Sequence, residues 1–88
     1  MSRLHAKHYL HSGDTIVVEC SHLVNVLVMN DDDYRNYKNN RAFDFHGGFF
    51  KNFPVHITVP STGLWNIVIT LPPGQRGDIK HSISIISA

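Results

Sequence analysis

The sequence contains one cysteine, Cys20, so no internal disulfide can staple the chain, and a reducing compartment, the cytoplasm, is the expected location. It contains one glutamate, Glu19, which excludes any Glu–Glu acid–base pair. Charge of either sign is scarce: 17% of residues are charged and the net charge is +1. That is too little for strong electrostatic capture of nucleic acid or an anionic membrane, so neither partner is expected. No apolar run approaches the ~20 residues of a membrane-spanning helix. Residues 1–12 hold Arg3, His5, Lys7 and His8 before Leu10 and lack the apolar core of a secretion signal. What is present is a hydrophobic fraction of 42%, enough to argue against disorder. The 88 residues suit one domain, 1–88, with a thin core, since folding at this size buries only about 60–65% of the chain's surface.

Period-two alternation dominates, the mark of strands with one buried face. Ile16, Val18 and Cys20 alternate with Val17 and Glu19, and Val55, Ile57 and Val59 with His56 and Thr58. Trp65, Ile67, Ile69 and Leu71 form a third row, and Ile79, His81, Ile83 and Ile85 a fourth. Leu4–Leu10, Asn25–Met29 and Phe43–Phe50 complete about seven short strands. Ser12-Gly13-Asp14 reads as a turn, Pro60-Ser61-Thr62-Gly63 as a hairpin loop, and Pro72–Gly77 as a longer connection. The expected fold is therefore all-β, an antiparallel β-sandwich or small barrel.

One segment breaks the alternation, and a short helix is expected near residues 31–39. Asn30 is a suitable N-cap, and Asp31, Asp32 and Asp33 complement the helix dipole. Asp31 and Arg35 are spaced for an i,i+4 ion pair, and Met29 for a staple onto Tyr34. Such a helix would lid one end of the sandwich.

Two stretches carry a resemblance: His46-Gly47-Gly48-Phe49-Phe50-Lys51-Asn52-Phe53-Pro54, and Ile57-Thr58-Val59-Pro60-Ser61-Thr62-Gly63-Leu64-Trp65-Asn66. With Tyr9-Leu10, Gly13-Asp14 and the strand from Asn25 to Met29, they resemble a small bacterial family classed as a domain of unknown function. Its members occur alone or joined to TIR (Toll/interleukin-1 receptor) domains. The resemblance runs through most of the chain and implies an all-β domain without assigned chemistry. Beside a TIR domain such a unit is expected to sense or bind something, and no catalytic residue carries over.

The residues capable of chemistry point the same way. Seven histidines raise a metal hypothesis, yet His8 faces away from His5 and His11 in a strand, and those two lie about 20 Å apart at ~3.3 Å per residue. Without Cys-x-x-Cys or His-Glu-x-x-His spacing, neither metal nor cofactor is expected. Cys20 continues the apolar face of Ile16 and Val18 and reads as buried and unreactive. The aspartate triplet lacks the spaced oxygen ligands of a calcium loop. Gly47-Gly48 lacks a phosphate loop's lysine, and no serine sits in a nucleophile elbow.

Two clusters remain. The aromatic segment reads either as core filling around a bulge or as a ligand pocket. In the latter, His46, Gly47, Gly48, Phe49 and Phe50 combine with Ser61, Thr62 and Trp65. A basic stripe is the other: in one strand Arg3, His5, Lys7, Tyr9 and His11 share a face that either protects a sheet edge or binds an anion. The expected function is a non-catalytic binding or sensing module for a small polar ligand or a protein partner. The alternatives are an interaction protein self-associating through a strand edge as a homodimer, and a small hydrolase or lyase using His46.

Overall fold

The computed structural model describes residues 3–75 and 78–88. Its elements run β1 (Arg3–Leu10), β2 (Thr15–Cys20), β3 (Val24–Asn30), α1 (Asp31–Lys38), β4 (His46–Phe50), β5 (Val55–Thr58), β6 (Gly63–Thr70) and β7 (His81–Ile86). The strands form two antiparallel sheets, one of four strands in the order β1-β6-β3-β4 and one of three in the order β5-β2-β7. They stack as a β-sandwich rather than a barrel, with the core between them. Val24, Val26 and Val28 of β3 and Trp65, Ile67 and Ile69 of β6 meet Ile16 and Val18 of β2 and Val55 and Ile57 of β5. Among the described residues, no helix is long and apolar enough to cross a membrane.

The connections depart from the expected hairpin. Pro60–Gly63 joins β5 of the three-stranded sheet to β6 of the four-stranded one, so it crosses the sandwich. Alternation marks where strands lie and says nothing about which sheet each joins. Backbone bonds instead dock the end of β5 on the turn between β1 and β2: Gly13 N–H donates to Val59 O (3.0 Å) and Val59 N–H to Asp14 O (2.9 Å). Gly13 adopts φ +92° there, and a Cβ would sit 3.0 Å from that of Ala88. The Asp14 carboxylate accepts from the backbone N–H of His11 (2.8 Å) and of Ala88 (2.9 Å), tying the turn to the chain's last residue. The Pro72–Gly77 connection also changes sheets, and its Arg76 and Gly77 lie outside the described residues.

The helix forms where its capping signals place it, Asn30 Oδ1 accepting from Asp33 N–H at 2.8 Å. Its position differs from the expected end lid. α1 lies across the outer face of the four-stranded sheet, against β3 and β6. Arg35 pairs with Asp32 at 3.5 Å instead of with Asp31, because Asp31 is turned toward the sheet. β4 begins at His46, three residues later than its alternation suggests. Phe43 instead meets Tyr37 of the helix with ring centroids 5.1 Å apart, and Phe45 lies against Phe43 at 5.7 Å.

Candidate functional site

The covering helix gives β6 two buried faces. Trp65, Ile67 and Ile69 point into the sandwich, while Asn66 and Val68 are buried on the outer side. Asn66 is fully buried, an arrangement tolerable only when its amide is hydrogen-bonded. Nδ2–H donates to Asp31 Oδ1 at 2.8 Å and reaches the Met29 carbonyl at 3.4 Å. Oδ1 lies 2.8 Å from His5 Nε2.

The chain of partners assigns the protons. A carboxylate can only accept, so the Asn66 nitrogen must face Asp31 and its oxygen must face His5. Nε2 of His5 therefore carries a hydrogen and donates to the Asn66 oxygen. The Asn66 amide, and next the Lys7 ammonium 3.0 Å away, hold the Asp31 carboxyl below its ordinary pKa. Asp31 thus stays ionised and keeps the amide oriented.

Aromatic rings and cations enclose this network. His5 stacks on Tyr34 with centroids 4.2 Å apart and planes 15° from parallel. Lys38 Nζ lies over Tyr34 at 4.7 Å, and the Arg3 guanidinium lies 5.7 Å from the Tyr37 centroid. Between strand and helix is an open hollow of about 430 Å³ lined by His5, Lys7, Asp31, Tyr34, Arg35, Lys38 and Asn66. Three permanent cations and one histidine thus face a single carboxylate, an arrangement chemically suited to a small anion.

The basic stripe is largely realised, with Arg3, His5, Lys7 and Tyr9 on one face of β1. Of these, His5 and Lys7 line the hollow, while Tyr9 is exposed. His11 lies past the strand's end, where its Nδ1 is 3.8 Å from Asp14 and its ring meets the Tyr9 edge at 5.5 Å. Asn66, Asp31, Tyr34, Arg35 and Lys38 were not evident as parts of a site. Asn66 alone had a signal, a polar residue interrupting a strand whose outward Val68 is also apolar.

The aromatic segment is divided by the fold. His46 is exposed beside Val28 at one end of β4, with its ring 5.8 Å from Trp65. Phe49 and Phe50 pair with Asn25 and Val24 at the other end. Trp65 Nε1–H donates to Ser61 O at 2.9 Å, and Thr62 Oγ1 accepts from Ser12 N–H at 3.0 Å, so these groups hold the crossing loop. Gly47 has φ +121°, and a Cβ would be driven into the Val26 carbonyl oxygen. That accounts for one glycine by close backbone packing. Phe49 lines a separate, largely apolar hollow of about 600 Å³ with Leu23, Phe53, Leu71 and the half-buried Cys20. Burial pushes the Cys20 thiol above its ordinary pKa, which disfavours the nucleophilic thiolate. Among the described residues, no group of three or more His, Cys, Asp or Glu side chains converges as a metal site would require.

A family model described as Domain of unknown function (DUF1883) matches residues 1–88. No curated protein and no solved structure matches the chain.

Proposed function

We propose, for a chain that belongs to the DUF1883 family of domains of unknown function, a non-catalytic role as a binding module. Its ligand is a small polar anion, held in the hollow between α1 and the outer face of the four-stranded sheet. The observation that carries this reading is the convergence of Lys7, Arg35, Lys38 and His5 around a hollow with one carboxylate, Asp31. That carboxylate is engaged by Asn66 and Lys7, so its repulsion of an incoming anion is partly offset. Arg35 and Lys38 extend from the helix on flexible stems and can close on the ligand, while Asn66 orients His5 from below. An amide partner and a stacked tyrosine hold the His5 ring in place, and its Nε2–H is donated to Asn66, so Lys7, Arg35 and Lys38 supply the contacts to the anion.

Inorganic phosphate is the first probe. Titrated into the isotopically labelled chain, it should shift the Asn66 side-chain amide and the His5 ring resonances saturably. The affinity should fall with added salt. Arg35→Ala and Lys38→Ala should each weaken binding about three- to tenfold, the range expected for losing one solvent-accessible charged contact. Shifts that grow linearly without saturation, or an affinity unchanged in both variants, would refute the reading.

A further inference from the structure

Among the described residues, the sandwich is closed along one side and less fully covered along the other. On the closed side β4 lies against β5, and the inward residues Val55 and Ile57 are 4% and 8% exposed. The opposite side is bounded by β1 and β7, the remaining outer strands of the two sheets. Their inward residues, Leu4 and Ala6 from β1 and Ile83 and Ile85 from β7, are only partly buried. One strand further in, Ile67, Ile69, Ile16 and Val18 are completely buried. Among the described residues, the core therefore runs out toward this side only partly covered.

The four sheet edges are not equally protected. An edge invites another strand unless charge, proline, irregular backbone or shortness prevents it. β1 carries Arg3, His5 and Lys7, with α1 across its outer side. β4 contains Gly47 and Gly48 at φ +121° and +147°, which break its pleat. β5 is only four residues long and is bracketed by Pro54 and Pro60. β7 has none of these devices: its six residues, His-Ser-Ile-Ser-Ile-Ile, contain no lysine, arginine, carboxylate, proline or glycine.

We propose that β7 is the surface through which two copies of this chain pair, antiparallel about a two-fold axis at Ser84. The two three-stranded sheets then form one continuous sheet of six strands. The occupant is a second copy because the strand complements itself in this register. Ile83 falls opposite the partner subunit's Ile85 on the inner face, so the two half-covered residues complete each other's burial. Ser82 falls opposite the partner's Ile86, and Ser84 opposite its own counterpart, on the outer face. No like charges meet, and the alternation of the two strands stays in phase, which a one-residue slip would destroy. Ile86, 55% exposed in the single chain, gains a neighbour. The pairing is independent of the anion hollow, which lies on the outer face of the other sheet.

Sedimentation velocity of the full chain over a wide concentration range tests the proposal, with Ser84→Lys and Ser84→Asp as variants. Ser84 is exposed, so either side chain can be accommodated in the folded single chain. The expected result is a dimer for the parent chain, monomers for each variant alone, and a restored dimer in their equimolar mixture, where opposite charges meet at the axis. Amide hydrogen exchange supplies a second readout, with protection of β7 rising with concentration in the unmodified chain. A parent chain that stays monomeric up to about millimolar concentration, where even weak pairing populates the dimer, would overturn the proposal. So would a dimer that persists in both variants, or β7 protection that ignores concentration.

Discussion

Asn66 shows how one residue couples core, helix and candidate site. Its amide links the Asp31 carboxylate on α1 to the His5 ring on β1 beneath the hollow. Asn66→Ala removes both bonds and replaces a fully buried amide with a gap between Asp31 and His5, so urea denaturation should show a loss of about 1–3 kcal/mol. Lys7→Ala removes an ion pair whose side chains are 45% and 40% exposed, and solvent screening limits that loss to below about 1 kcal/mol. If the two variants were equally stable, the buried amide would not be the keystone. The residue is visible in the sequence only as an interruption. Asparagine in a strand ordinarily faces water, and what buries this one is a helix that starts 35 residues earlier, at Asp31.

At the scale of elements, α1 stands on its cap and its docking, and has no buried residue of its own. An eight-residue helix is too short to persist alone in water. Capping signals in Asn30–Asp33 located it correctly, because they act over one turn and need no tertiary partner. Its docking surface was not legible, since His5, Lys7 and Asn66 reach it from strands distant in sequence. Asn30→Ala should cost about 1 kcal/mol of stability. It should also loosen the hollow, seen as faster amide exchange in residues 31–38 with β2 and β5 unaffected. Equal acceleration throughout the chain would instead mean that the helix opens only with the whole fold. The seven strands were likewise legible from alternation, with boundaries displaced most at Phe43–Phe45, whose aromatic character suits a strand and a helix cover equally well.

Over the whole molecule, two carboxylates join parts far apart in sequence. Asp14 fastens the β1–β2 turn to Ala88, and the backbone N–H groups of Ala88 and then His11 lower its pKa. Asp31 fastens α1 to the sheet, with Asn66 and then Lys7 as the causes of its lowering. For a carboxyl whose pKa is lower folded than unfolded, the unfolded chain binds the proton more readily. The stabilisation is therefore present above the ordinary value of 3.8 and is lost as the pH falls below it. The melting temperature should hold steady from neutrality to about pH 5 and decline below about pH 4. Asp14→Asn should flatten part of that decline. A melting temperature insensitive to acid would show that neither tie matters.

Alternation, capping and composition act within a few residues, so the linear order already reveals seven strands, one helix, an antiparallel all-β fold and the inward faces. The basic face of β1 follows from the same parity. Sheet membership depends on contacts between segments that local pattern does not encode: Pro60–Gly63 looks like a hairpin and crosses the sandwich because Val59 bonds to the Gly13–Asp14 turn. The candidate site needed tertiary structure for the same reason. Its floor comes from β1 and β6 and its wall from α1, and a basic stripe becomes a hollow only when the fold lays that helix over it.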